Sequence, residues 1–146
     1  MKKNAITFLI IILSFLGGNS VYSQCKGFAK KKCIPELEPY IHNGQLNSVN
    51  LFPGESAALT IPFYSGQEYR ILACAHKILG EEVYYEVKTK KGKLVYSSQG
   101  KGAAWDFKVA STQELIIDVF VPETDGTETS ELSQSGCISI LIGFKQ

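Results

Sequence analysis

The sequence predicts an all-β protein, an antiparallel two-sheet β-sandwich carrying a short N-terminal helix. Three observations carry that prediction. From residue 47 onward apolar and polar side chains alternate with the two-residue period of a strand; Gly and Pro turn signals divide the alternating stretch into seven or eight short runs; and four cysteines follow an export-like leader.

The leader comes first. Lys2 and Lys3 precede the apolar run from Ala5 to Leu16, which Gly17, Gly18, Asn19 and Ser20 interrupt. Val21 and Ser23 place small residues where cleavage before Gln24 is expected, so residues 1–23 read as a signal peptide. That run is well short of the ~20 apolar residues a membrane-spanning helix needs, and no later stretch is longer, so no transmembrane segment is expected after signal removal. The expected location is secreted or periplasmic. The alternative is a lipid anchor on Cys25, against which Tyr22 and Gln24 depart from the aliphatic and small residues usual before a lipid-modified cysteine.

Residues 24–46 form a segment apart. Pro35 suits a first helical turn, Ile34, Leu37 and Ile41 recur at helical spacing, and Asn43-Gly44 supplies a stop. A helix over 34–42 is expected, laid on the body by that apolar stripe.

Residues 47–146 form the sandwich. Ala57, Leu59, Ile61 and Phe63 alternate with polar or small neighbours, as do Tyr69, Ile71, Ala73 and Ala75, then Val83, Tyr85 and Val87. The same period governs Trp105, Phe107 and Val109, then Leu115, Ile117, Val119 and Val121, and finally Ile138, Ile140, Ile142 and Phe144. Pro53-Gly54, Ser65-Gly66 and Lys91-Gly92 mark turns, the last between two alternating runs as a hairpin signal. The polar stretch 123–135 lacks any apolar period and is expected as a long loop.

The runs "SGQEYRILACA", "VYYEVKTKKGKLVY", "WDFKVASTQELIIDVFV" and "GCISILIGF" resemble, in that order, bacterial pre-peptidase C-terminal domains, over roughly residues 55–144. Gly66-Gln67, Gly92 and the strand Leu115 to Val121 match that family's strand opening, central turn and late strand. The resemblance implies a jelly-roll-like sandwich. Gln113 to Leu115 departs from the family's Gly-Thr-Tyr type of strand entry, and no acidic cluster matches its calcium-binding segment, so no calcium site carries over. The chain also resembles small stand-alone secreted bacterial proteins that join a cysteine-containing helix to such a sandwich, which imply no activity.

Removing residues 1–23 takes Lys2 and Lys3 with it and leaves 13 basic against 14 acidic side chains. Such a balance favours neither nucleic acid nor an anionic membrane as a global partner. Lysines 30–32 and the cluster Lys88, Lys90, Lys91 and Lys93 are local and read as solvated faces.

Cys25, Cys33, Cys74 and Cys137 are expected in two disulfides. Cys74 and Cys137 lie on the faces of their strands opposite the apolar ones, so a cross-strand Cys74–Cys137 bridge is expected if the strands are neighbours, with Cys25–Cys33 clamping the helix. Cys74-x-His76 is the only close pair of metal-binding residue types, which is too little for zinc, and no metal or cofactor is expected. No Gly-x-Ser-x-Gly or other nucleophile context is present, His76 reads as a strand-end surface residue, and Glu86, Asp106 and Asp118 read as outward-facing strand positions, so no catalytic residue is assigned. Tyr84 and Tyr85 are consecutive, so one faces outward; Tyr64 and Tyr96 lie near turns. Tyr64, Tyr84 and Tyr96 are therefore the candidate ligand-binding residues, whereas Trp105 has core spacing. The expected function is an exported, non-catalytic binding or accessory module with an unknown protein or glycan partner, the alternative being a carbohydrate-binding module and, behind it, a secreted hydrolase.

Overall fold

The computed structural model describes residues 20–123 and 134–146. The expected signal peptide lies outside the described residues apart from 20–23, and so does most of the expected loop 123–135.

Among the described residues nine strands follow a helical N-terminal segment: β1 (Ile41–His42), β2 (Asn47–Leu51), β3 (Ser56–Phe63), β4 (Glu68–Ala75), β5 (Tyr84–Thr89), β6 (Leu94–Ser97), β7 (Ala104–Lys108), β8 (Gln113–Phe120) and β9 (Gly136–Phe144). They form two antiparallel sheets. One has the order β1-β9-β4-β7, with β2 also on β9; the other has the order β3-β8-β5-β6. The pairs β2·β9, β3·β8, β4·β7 and β5·β6 are nested inside one another along the chain. That nesting is a long antiparallel ribbon wrapped into two layers, the jelly-roll arrangement.

The alternating pattern sets which side of each strand is inside. Ile61, Phe63, Leu115, Ile117, Val119, Tyr85 and Val87 from one sheet meet Tyr69, Ile71, Ile138, Ile140 and Ile142 from the other, all buried. Tyr85, buried at the centre, donates its hydroxyl to the Ile71 carbonyl at 3.2 Å, and burial raises its pKa well above the usual phenol range. The β5–β6 hairpin turns at Gly92 with φ +79°, a conformation that glycine adopts without a Cβ penalty.

The central strands β4 and β9 of the five-stranded sheet are buried on both sides, because the N-terminal segment lies across their outer face. Helix α1 (Ser20–Phe28) runs into a π-helical turn (Ala29–Cys33) and a 3₁₀ turn (Ile34–Leu37). Cys25, Ala29, Cys33 and Leu37 recur every fourth residue and are buried. Beneath them Leu72, Cys74 and Leu141 form a second apolar cluster with Cys33 and Leu37.

Two expectations are corrected here. The helix stands at 20–37, and Ile41 belongs to β1 with 47% of its surface exposed. Pro39 is the physical reason: the residue before a proline is disfavoured in the α region, and Glu38 sits at ψ 137°, ending the helical segment at Leu37. The disulfides join Cys25 to Cys137 and Cys33 to Cys74, where Cys74–Cys137 and Cys25–Cys33 were expected. Both thus tie the helical segment to the sheet, and the Cys25 sulfur on which the lipid alternative depended is bonded to Cys137.

Behind the 3₁₀ turn the chain is held by charge. The Tyr40 hydroxyl donates to Glu68 Oε1 at 2.7 Å; Arg70 and Lys145 approach its ring at 4.5 and 4.9 Å from the centroid. Arg70 in turn grips both oxygens of Asp106, at 2.6 and 2.8 Å, and donates to the Glu38 carbonyl.

Candidate functional site

The four-stranded sheet has no segment over its outer face among the described residues, and its cross-strand rows are therefore legible one by one. The last row is Ser56, Phe120 and Tyr84, in register across β3, β8 and β5. Tyr84 and Phe120 stack with ring centroids 5.0 Å apart and planes 18° from parallel. Ser56, on the other flank of Phe120, is too small to cover the ring. The next row is Ala58, Asp118 and Glu86, and then Thr60, Ile116 and Lys88. Lys88 reaches back to both carboxylates, Glu86 at 2.8 Å and Asp118 at 2.9 Å, which push its pKa up to about 12. A closed charge cluster thus borders the rings on one side.

On the other side the rings line an open cleft of about 800 Å³ at the end of the sandwich. Its walls come from the loops before β3 and β5, the loop between β6 and β7 and the stretch after β8, with Glu55, Glu81, Glu82 and Glu123 among the lining residues. Paired aromatics on a half-wet sheet face, next to a concavity with carboxylates around it, can present a flat apolar surface and hydrogen-bond acceptors to one ligand.

The three tyrosines expected to bind ligand are not brought together. Tyr84 lies in the cleft. Tyr64 stands after β3, at the opposite end of the same sheet, roughly 25 Å away by strand rise, and is 60% exposed with no other aromatic ring stacked on it among the described residues. Tyr96 is a structural residue: its ring stacks on Trp105 at 4.3 Å with planes 3° apart, and Trp105 continues onto Phe107 at 4.2 Å. β6 and β7 are the edge strands of different sheets, so this stack closes the sandwich between them. Phe120 is the residue that sequence reasoning missed. An aromatic ring at the polar phase of β8, opposite Leu115, Ile117 and Val119, was the available signal.

The other polar candidates have local partners. His76, exposed after β4, accepts the Ile78 N–H and so caps the short 3₁₀ turn Lys77–Leu79. His42 contacts the Gln45 carbonyl at 3.1 Å. Asp106 is bound to Arg70, and Glu86 and Asp118 to Lys88. A second, shallower cleft of about 520 Å³ is lined by the Cys25–Cys137 bridge, Phe28, Asn50, His76 and Ile78. Among the described residues no three His, Cys, Asp or Glu side chains are grouped closely enough to hold a metal ion, and no helix is long and apolar enough to cross a membrane.

The sequence matches no family model and no curated protein. Solved structures with a similar course of the chain include the periplasmic inhibitor of g-type lysozyme from Aeromonas hydrophila, PliG, 9% identical over 74% of this chain and 90% of that one, with a TM-score of 0.49. A de novo designed double-stranded β-helix is 17% identical over 69% of this chain and 99% of that one, TM-score 0.32. The CBM36-1 domain of a multidomain xylanase from the hindgut metagenome of Trinervitermes trinervoides is 13% identical over 75% and 93%, TM-score 0.31. At such scores the likeness transfers no function.

Proposed function

We propose that this chain is an exported, non-catalytic binding module, stabilised by two disulfides, which holds a glycan or protein partner in the cleft floored by Tyr84 and Phe120. The observation that carries the reading is the stacked Tyr84–Phe120 pair, half-exposed on an uncovered sheet face and opening into a cleft of about 800 Å³. Export is supported by the leader and by the two disulfides, which persist in oxidising compartments. The non-catalytic reading is supported by how the reactive side chains are engaged: all four sulfurs in bridges, both histidines on local backbone groups, and the strand carboxylates in ion pairs.

The ring pair favours the glycan arm, since exposed aromatic rings stack on the flat faces of sugars. A glycan array probed with the purified protein tests it. Retention of a glycan that falls at least ten-fold in Tyr84→Ala and Phe120→Ala, and is unchanged in Tyr64→Ala, is the expected result; buried aromatic contacts of this kind carry roughly 2 kcal/mol at binding surfaces. An array with no retained glycan leaves the protein arm, for which a photo-cross-linking residue at position 84 has to give a discrete adduct from the exporting cell's periplasm or medium. Silence in both arms, or binding indifferent to positions 84 and 120, overturns the reading.

A further inference from the structure

We infer that the helical segment presents a rigid ridge of lysines, Lys26, Lys30, Lys31 and Lys32, that docks on the anionic headgroups of a lipid bilayer. The inward stripe of Cys25, Ala29, Cys33 and Leu37 is buried against the sheet, and all four lysines are exposed on the remaining surface of the same segment. Between Gln24 and Cys33 there is no acidic residue; the first is Glu36.

Among the described residues Lys77, Lys91, Lys93, Lys101 and Lys108 are, like the ridge lysines, without a carboxylate within 4 Å, and the ridge is set apart by holding four such lysines within seven residues. Arg70, Lys88, Lys90 and Lys145 are each paired with a carboxylate, on Asp106, on Glu86 and Asp118, on Glu114 and on Glu68. Among the described residues no carboxylate lies within 4 Å of the ammonium groups of the ridge. Among the described residues its charges meet only one another, a repulsion that an external array of negative charge would relieve.

The ridge is also fixed in place. The Cys25–Cys137 and Cys33–Cys74 bridges bracket it, one at each end, and both reach into the sheet. Four positive charges are thereby gathered before any partner arrives, so docking has little further ordering to do. Shape and chemistry select the partner. None of the four lysines lines either of the clefts described above, and the surface is convex, as a helix lying on a sheet must be. A convex ridge suits a planar array of charge better than one enclosed ligand. Lysine ammonium groups are hydrated point charges without the forked geometry that fixes a single phosphate, and the chain's only arginine, Arg70, is committed to Asp106. Mobile headgroups at a bilayer surface are matched by such charges, each worth about a five-fold gain in partitioning near an anionic membrane.

The test is co-sedimentation of the exported protein with phosphatidylcholine vesicles that contain or lack phosphatidylglycerol. Binding is expected only to the anionic vesicles and is expected to vanish as salt rises well above about 0.1 M, where screening acts within ~10 Å. Each single Lys→Gln change on the ridge should lower partitioning about five-fold, and the variant with all four replaced should abolish it while keeping both disulfides and the wild-type near-ultraviolet spectrum. Replacing Lys90, Lys91 and Lys93 of the β5–β6 hairpin, matched in charge to the triple change at Lys30, Lys31 and Lys32, is the control and should leave binding unchanged. Equal binding to neutral vesicles, equal loss from the hairpin control, or capture of soluble polyphosphate without any binding to anionic vesicles would each refute the proposal.

Discussion

Cys74 and Cys137 share the outer face of adjacent strands and are two residues out of register: Cys74 stands opposite Ser139, and the Cys137 carbonyl accepts the His76 N–H at 2.8 Å. Side chains on such a diagonal are about 7–8 Å apart, beyond comfortable bridging distance. Each sulfur turns instead to the helical segment above it, with Cα separations of 5.3 Å for Cys25–Cys137 and 5.7 Å for Cys33–Cys74.

A non-reducing tryptic map is therefore expected to link the Cys25 peptide to the Cys137 peptide and the Cys33 peptide to the Cys74 peptide, with no free thiol. Cleavage after the ridge lysines separates Cys25 from Cys33, which makes the assignment unambiguous. Graded reduction should open Cys25–Cys137 first, since that bridge lines the second cleft and Cys137 is half-exposed, whereas Cys33 is wholly buried. A Cys25–Cys33 peptide, or the opposite order of reduction, would contradict the arrangement.

The sandwich was legible because alternation is a strong constraint: a one-residue slip would turn every apolar side chain of β3 or β8 to the wrong side. The shared face of Cys74 and Cys137 followed from the same pattern, whereas the adjacency of β4 and β9 was only a condition, which the sheet order meets. The residue offset between them did not, because register is set by turns and long-range pairing that a single strand's period does not encode. The helical segment was misplaced for a related reason. Its inward stripe is built from Cys25, Ala29, Cys33 and Leu37, whose weak apolar signal was outweighed by Ile34, Leu37 and Ile41, and Pro39 removed Ile41 from the helix. Leu72 and Leu141, apolar at outward phases, were the sign that something covers that face. At the site, Tyr84 was visible as one of two consecutive tyrosines. Tyr96 was not separable from it, because its partner Trp105 comes from the other sheet and meets it only when both edges close.

Gly143 is a second place where the covered face can be tested. A Cβ at Gly143 would lie 2.7 Å from Tyr40 Cβ and 3.2 Å from Leu37 Cδ2, at the point where the segment after the 3₁₀ turn crosses β9. Overpacking of this kind costs about 1–3 kcal/mol, so Gly143→Ala should lower the urea midpoint correspondingly. Gly27 gives the opposite sign with the same added methyl. It lies inside α1 with nothing within 4 Å of its would-be Cβ, and alanine is favoured over glycine in a helix interior by about 0.5–1 kcal/mol. Two variants that differ only in position and shift stability in opposite directions would establish that the chain before β2 packs as described; equal shifts would not be compatible with it.

The charge cluster around Tyr40 makes the hold of that same segment depend on pH at both ends of the scale. The Arg70 hydrogen bonds keep the Asp106 carboxyl below its usual range, and the Lys145 hydrogen bond, followed by that of Tyr40, does the same for Glu68. Groups whose folded pKa is depressed contribute stability above their unfolded value, near 4, and lose it as pH falls through the lower folded value. On the alkaline side the signs reverse. Lys145 is raised chiefly by its hydrogen bond to Glu68, and Tyr40 by burial and then by Glu68, so both contribute below their unfolded values near 10 and lose that contribution as pH rises through the folded ones. Thermal stability should therefore be flat between about pH 5 and pH 9 and fall on either side. Glu68→Gln removes one depressed carboxylate and the partner of both Lys145 and Tyr40, so its acid and alkaline limbs should both be shallower than those of the wild type, while Asp106→Asn should flatten the acid limb. The effects should be modest, since these groups are partly exposed and screened. Wild-type and Glu68→Gln profiles that superpose at both extremes would show that the cluster does not hold the segment.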